Sequence, residues 1–194
     1  KQIRYANANG KEKITLYYFA DIKKEIDDFF ATAEDIVDGR RSQLLDKPAM
    51  IAITTGCKTS SDVTVKKADF YHKIQYSYGI KEDSYQNYYD ESNLKNNLEH
   101  FVTEEEAGPK KELAIKLISN INKLRNGRCF PNDLESEYLI VTNTKITLSL
   151  SKEQSEIIKR NNQLDSVCNY AVSLDRITSL LWYKLGKGFG ENDY

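Results

Sequence analysis

Two runs of oxygen-bearing side chains flank one apolar tetrapeptide. Asn132-Asp133-Leu134-Glu135-Ser136-Glu137 precedes Tyr138-Leu139-Ile140-Val141, and Thr142-Asn143-Thr144 follows it. A short uninterrupted apolar run predicts a strand buried on both faces, as in a parallel sheet. In open parallel sheets, ligands and catalytic groups gather beyond the carboxyl ends of the strands. Hard oxygen donors clustered there suit Mg²⁺ or Mn²⁺, ions that activate water and stabilise a phosphoryl transition state.

Other chemistries lack the spacing they need. His72 and His100 stand in no H-E-x-x-H arrangement, and no G-x-S-x-G nucleophile elbow occurs. The three cysteines, Cys57, Cys129 and Cys168, are far apart with no C-x-x-C, so neither a disulfide framework nor a zinc site is expected. Gly56-Cys57-Lys58-Thr59-Ser60 sits between a predicted strand and a predicted helix, where amides and a lysine can cradle phosphate. The G-x-x-x-x-G-K-[ST] spacing of a P-loop is nevertheless absent. Gly186-Lys187-Gly188-Phe189-Gly190 follows a helix and reads as a C-cap leading into a linker.

The elements that must position these groups come from periodicity. Residues 1–13 read as a loose lead-in. Phe19, Ile22, Ile26, Phe29, Phe30, Ala33 and Val37 recur at three- and four-residue steps and predict one long amphipathic helix within residues 14–37. A linker to Pro48 follows. Ala49-Met50-Ile51-Ala52-Ile53 reads as a first buried strand, and a helix capped by Ser60 or Ser61 runs on toward a stop at Gly79. The Tyr-rich residues 83–102 carry one or two helices. Leu113, Ala114, Leu117, Ile118, Ile121 and Leu124 give the cleanest helical stripe, opened by Pro109 and closed by Asn126-Gly127. A helix over about residues 152–161 separates Tyr138-Leu139-Ile140-Val141 from a third strand at Tyr170-Ala171-Val172. A last helix covers residues 175–185. Strands alternating with helices predict an α/β fold with parallel pairing.

The order of an acidic residue, a strand ending in Thr142-Asn143, a helix and a short strand at Tyr170-Ala171-Val172 resembles the C-terminal half of a PIN-like nuclease domain. The resemblance implies a helix-rich, three-layer α/β/α sandwich with a small parallel sheet. It also implies divalent metal, Mg²⁺ or Mn²⁺, held by carboxylates at the strand ends for hydrolysis of RNA. The ligands it implies are Asp62 or Asp69, Glu99 and Asp133, with Asn143 positioning water or phosphate. Such domains place an Asp near the end of the first strand, whereas Ile53 is followed by Thr54-Thr55-Gly56. A degenerate site is therefore part of the expectation.

With 28 Lys and Arg against 29 Asp and Glu, the net charge is −1, so no global field draws a polyanion. RNA would need a local patch: Lys110, Lys111, Lys116, Lys123, Arg125 and Arg128 on and after the Pro109 helix, with Tyr85, Tyr88 and Tyr89 stacking on unpaired bases. The alternative is a non-catalytic protein-interaction module of similar fold, whose Tyr-rich segment and N-terminal helix bind protein. The organisation expected is a lead-in, helical arm and linker at residues 1–47, an α/β domain at 48–190 and a tail at 191–194. No stretch approaches the roughly 20 apolar residues of a membrane span, and no signal segment opens the chain. It reads as a cytoplasmic piece of a multidomain protein whose other domains are among its partners.

Overall fold

The computed structural model describes residues 14–43, 46–83 and 108–184, together with Ile3, Asn7 and Leu98. The chain divides into two compact units, Ile14–Gln86 on the one hand and Asn87–Tyr194 with Lys1–Lys13 on the other. The helix-rich α/β class is as expected, and its parallel pairing is distributed over two two-stranded sheets.

In the first unit, strand β1 (Leu16–Tyr18) leads into helix α1 (Ala20–Val37). Helices α2 (Pro48–Thr54) and α3 (Ser60–His72) follow, then a π-helical turn (Lys73–Ser77) and strand β2 (Ile80–Glu82). The strand β2 lies parallel to β1, with Leu16 opposite Ile80 and Tyr18 opposite Glu82. The apolar stripe of α1 buries Phe30 and Ala33, and these pack with Met50 of α2 and Val63 of α3. Each large apolar side chain so covered contributes about 1.5–3 kcal/mol. Helix α1, expected as an arm, thus shares one core with α2 and α3. Polar contacts tie the same helices. Asp27 accepts hydrogen bonds from Lys67 at 2.7 Å and from the Tyr71 hydroxyl at 2.9 Å. Burial, reinforced by Asp27, pushes the Tyr71 phenol well above its ordinary range.

Residues 49–53, expected as a strand, lie inside helix α2. Pro48 occupies its first turn, where a missing N–H costs nothing. Met50 and Thr54, four residues apart, are buried while Ala49 and Ala52 face solvent, so the apolar run is covered on one helical face and not on two sheet faces. Lys66 of α3 donates to the carbonyls of Ile53 at 2.8 Å and Thr55 at 2.5 Å, placing a cation on the negative end of α2.

In the second unit, helix α4 (Pro109–Leu124) precedes strand β3 (Ile140–Val141), helix α5 (Lys145–Asn161), strand β4 (Ala171–Val172) and helix α6 (Leu174–Lys184). Helix α4 is the central element, burying Ala114, Ile115, Leu117, Ile118 and Ile121. It stops at Asn126 (φ 52°) and Gly127 (φ 69°), both left-handed, a conformation Gly and Asn adopt at least cost. The strands β3 and β4 pair in parallel with Ile140 opposite Ala171 and Val141 opposite Val172. Small hydroxyls fasten α5 to β4: Ser151 Oγ accepts the Ala171 amide at 2.8 Å, and Ser155 Oγ donates to the Cys168 carbonyl at 3.3 Å. No helix among the described residues is long and apolar enough to cross a membrane.

Candidate functional site

The β3–β4 pair is held at its entry by a cation and at its exit by a charge pair. At the entry, the side chain of Arg125, the residue capping α4, is 1% exposed. Its Nε and Nη2 donate to the Tyr138 carbonyl at 2.9 and 2.7 Å, and Nη2 also donates to the Asn169 carbonyl at 2.9 Å. The guanidinium lies 4.6 Å from the centroid of the Tyr170 ring, a cation–π distance. Burial pushes the Tyr170 phenol up to about 12 against the lowering pull of Arg125, and its hydroxyl donates to Asn122 at 2.7 Å. One buried fork thus joins the residues preceding both strands.

At the exit, Thr142 N–H donates to the Val172 carbonyl at 3.0 Å, and Thr142 Oγ1 accepts the Thr144 amide at 3.1 Å, turning the chain into α5. Asn143 Oδ1 accepts the Leu174 amide at 3.1 Å and Ser173 Oγ accepts the Arg176 amide at 3.2 Å, so two side chains cap the first turn of α6. The Asp133 side chain is only 4% exposed and receives Arg176 Nε at 2.6 Å; the arginine side chain is 60% exposed. The loop carrying Asp133 is shaped by Asn132, whose Oδ1 accepts the amides of Leu134 and Glu135, both at 3.1 Å.

Of the residues expected to form a metal site, Asp133 and Asn143 each bond a residue in the first turn of α6, Arg176 and Leu174 respectively. Their roles differ from the expectation. Asp133 faces a guanidinium, and Asn143 is spent on a helix cap. Asp62 and Asp69 belong to the first unit, both on α3. Asp62 Oδ2 accepts the amides of Lys58 at 2.8 Å and Thr59 at 2.9 Å, closing the N-terminus of its own helix. Asp69 is exposed seven residues on, about 10 Å along the axis. Two short carboxylates so separated do not share one ion. Glu99 lies outside the described residues, as do His100, Tyr85, Tyr88, Tyr89 and residues 186–190.

Three further expectations change for definite reasons. The Gly56 to Ser60 segment joins two helices, and the amides that would cradle phosphate already hold the Asp62 carboxylate. The helix cap is Thr59, one residue before the serines expected to serve. The basic face of α4 is narrower than expected, because Lys111 and Arg125 are buried and Arg128 is ion-paired with Glu137.

A Mg²⁺ or Mn²⁺ site takes several oxygen ligands at close range, with carboxylates among them. The strand-end cluster offers Asp133, already neutralised, and the exposed Asp175 in the first turn of α6, while Thr142, Asn143 and Ser173 accept backbone amides. No group of three or more His, Cys, Asp or Glu side chains able to hold a metal occurs among the described residues. The described residues do not by themselves make a divalent-ion site. Arg176 was not singled out in the sequence, and Arg125 was expected to contact phosphate where the structure gives it two backbone carbonyls. Each partner is remote in sequence, 43 positions from Asp133 in the case of Arg176, and the one available signal was a cation one turn into a helix that follows a strand.

Comparison with protein-family models, with curated proteins and with solved structures returns no match.

The cap at Asp62 carries a pH signature. Hydrogen bonds from the Lys58 and Thr59 amides hold its carboxyl below the ordinary value of 3.8. A carboxyl with a lowered folded pKa contributes its full stabilisation above the unfolded value, and loses it as the pH falls through the folded one. Asp62→Asn is expected to cost stability at neutral pH and to flatten the acid limb below 3.8. Thermal melts across that range check this, and an unchanged acid limb would count against the cap.

Proposed function

We propose that this chain is a non-catalytic protein-interaction module carrying a degenerate PIN-like strand-end site. The observation that carries the reading is the Arg176–Asp133 pair at 2.6 Å, which puts a covalently tethered cation where a nuclease needs an exchangeable one. The parallel β3–β4 pair, the α5 crossover and the bonds of Asp133 and Asn143 to the first turn of α6 support the PIN-like part of the reading. The interaction part draws on α6, where Leu174 (53% exposed), Trp182 (46%) and Tyr183 (63%) stand out in solvent. Tryptophan and tyrosine are the residue types that most often dominate interface energies. Of the two surfaces first expected to bind protein, the Tyr-rich segment lies outside the described residues, and α1 buries Phe30 and Ala33 in the core of the first unit.

Incubation with single-stranded RNA and Mg²⁺ or Mn²⁺ tests this. The expected result is intact RNA for the natural chain and for Asp133→Ala alike. Metal-dependent cleavage that Asp133→Ala abolishes without unfolding the chain would overturn the reading in favour of a metal-dependent ribonuclease.

A further inference from the structure

In the first unit a cleft of 110 Å³ opens between α1 and α2. Its inner wall is apolar, formed by Phe29 and Ile36 from α1 and by Met50 from α2, the last only 3% exposed. Its lining also includes Arg41, Ser42 and Lys47, all exposed. Neighbouring Arg40 is neutralised, meeting Asp35 and Asp38 at 3.0 Å each. Arg41 and Lys47 have no carboxylate partner among the described residues. An apolar notch thus opens between two cations that have no carboxylate partner among the described residues.

Size and charge together restrict the occupant. Sites for drug-sized ligands run from about 300 Å³ upward, and a cavity of about 150 Å³ takes benzene. A notch of 110 Å³ matches a single aliphatic side chain. A nucleic-acid backbone would meet the cations and leave the apolar wall unfilled, whereas a peptide offers both chemistries at adjacent positions. We propose that this cleft anchors one leucine-sized side chain of an acidic segment in a protein partner, with carboxylates flanking that side chain meeting Arg41 and Lys47. The proposal rests on the interaction-module reading and gives its partner a chemistry. Rim charges of this kind set partner choice and encounter rate, and they weaken with salt.

Met50 is the chain's only methionine, so labelling methionine methyls with ¹³C gives one signal at the wall of the cleft. The probe is the blocked peptide acetyl-Glu-Leu-Asp-Glu-amide, titrated into the full chain. The Met50 signal is expected to shift and saturate. Affinity is expected to fall about tenfold for acetyl-Gln-Leu-Asn-Gln-amide, and about as much for the Arg41→Gln/Lys47→Gln variant, as two exposed charge pairs allow. An unmoved free Met50 signal shows that the variant is folded. The proposal fails if Met50 does not respond, if the neutral peptide binds as tightly, or if hexanoate or an RNA oligonucleotide shifts it as strongly as the acidic peptide. Metal-dependent RNA cleavage beside an intact Met50 response would sink the reading of the second unit and leave this cleft standing. The reverse pattern would sink this cleft alone.

Discussion

Arg125→Ala is expected to release the entry end of the β3–β4 pair, at a cost of about 2–4 kcal/mol, since two carbonyls lose charge-assisted hydrogen bonds at roughly 1–3 kcal/mol each. Three donor contacts disappear, the carbonyls of Tyr138 and Asn169 lose a charged partner, and the Tyr170 ring loses its cation. Arg125→Lys keeps the charge but not the planar fork, so it is expected to recover only part of the loss. The readout is hydrogen exchange at the amides of Ile140 and Thr142, which donate to the Tyr170 and Val172 carbonyls. Their protection is expected to drop by roughly two to three orders of magnitude while that of α1 amides stays within a factor of a few. Unchanged protection at Ile140 would show that Arg125 does not hold the strands.

Arg176→Ala is the second large effect, and its size is set by an asymmetry of exposure. The arginine is mostly in solvent while the Asp133 side chain is 4% exposed. Removing the guanidinium leaves a buried carboxylate without its partner, at a cost discounted to about 1–3 kcal/mol because water reaches the vacated side. Asp133→Asn leaves no buried charge and is expected to cost less. Adding Asp133→Leu to Arg176→Ala is expected to restore much of the loss, since an apolar replacement for both partners removes the desolvation penalty. Urea unfolding followed at Trp182, the chain's single tryptophan, reports on the unit concerned. Equal destabilisation by the single and double variants would contradict the pairing.

These effects show which features the sequence made legible. Helix α4 was readable at both ends because Pro109, a continuous stripe and Asn126-Gly127 are local signals acting on the backbone itself. The strands β3 and β4 were readable because Ile140-Val141 and Ala171-Val172 are apolar runs between polar turns. The same criterion misplaced residues 49–53, since five apolar residues have no period and only the preceding proline and the helix-favouring Ala and Met pointed to α2. Strand β1 was absorbed into the α1 stripe, although the Leu16-Tyr17-Tyr18 run carries aromatic β-preference.

The site was half legible. Sequence order placed Asn143 just after a strand, and in the fold it caps the helix after β4, while Asp133 bonds Arg176 of that same helix. Their partners were not legible, because Leu174 and Arg176 approach only after α5 and β4 have returned the chain. Arg125 looked like a phosphate-binding residue of a basic helix. Nothing local distinguishes a surface arginine from one that two later carbonyls will surround.

The most direct test of the central claim is an Mn²⁺ titration of the natural chain followed at the Arg176 Nε–H and Asn143 side-chain resonances, because a paramagnetic ion broadens what it approaches. A strand-end site neutralised by its own arginine predicts that both signals stay sharp up to about 1 mM metal, the weak end of ordinary protein sites for divalent ions. Selective broadening of both at stoichiometric Mn²⁺, with the Arg176 pair released, would contradict it and return Asp133 to the role of a metal ligand.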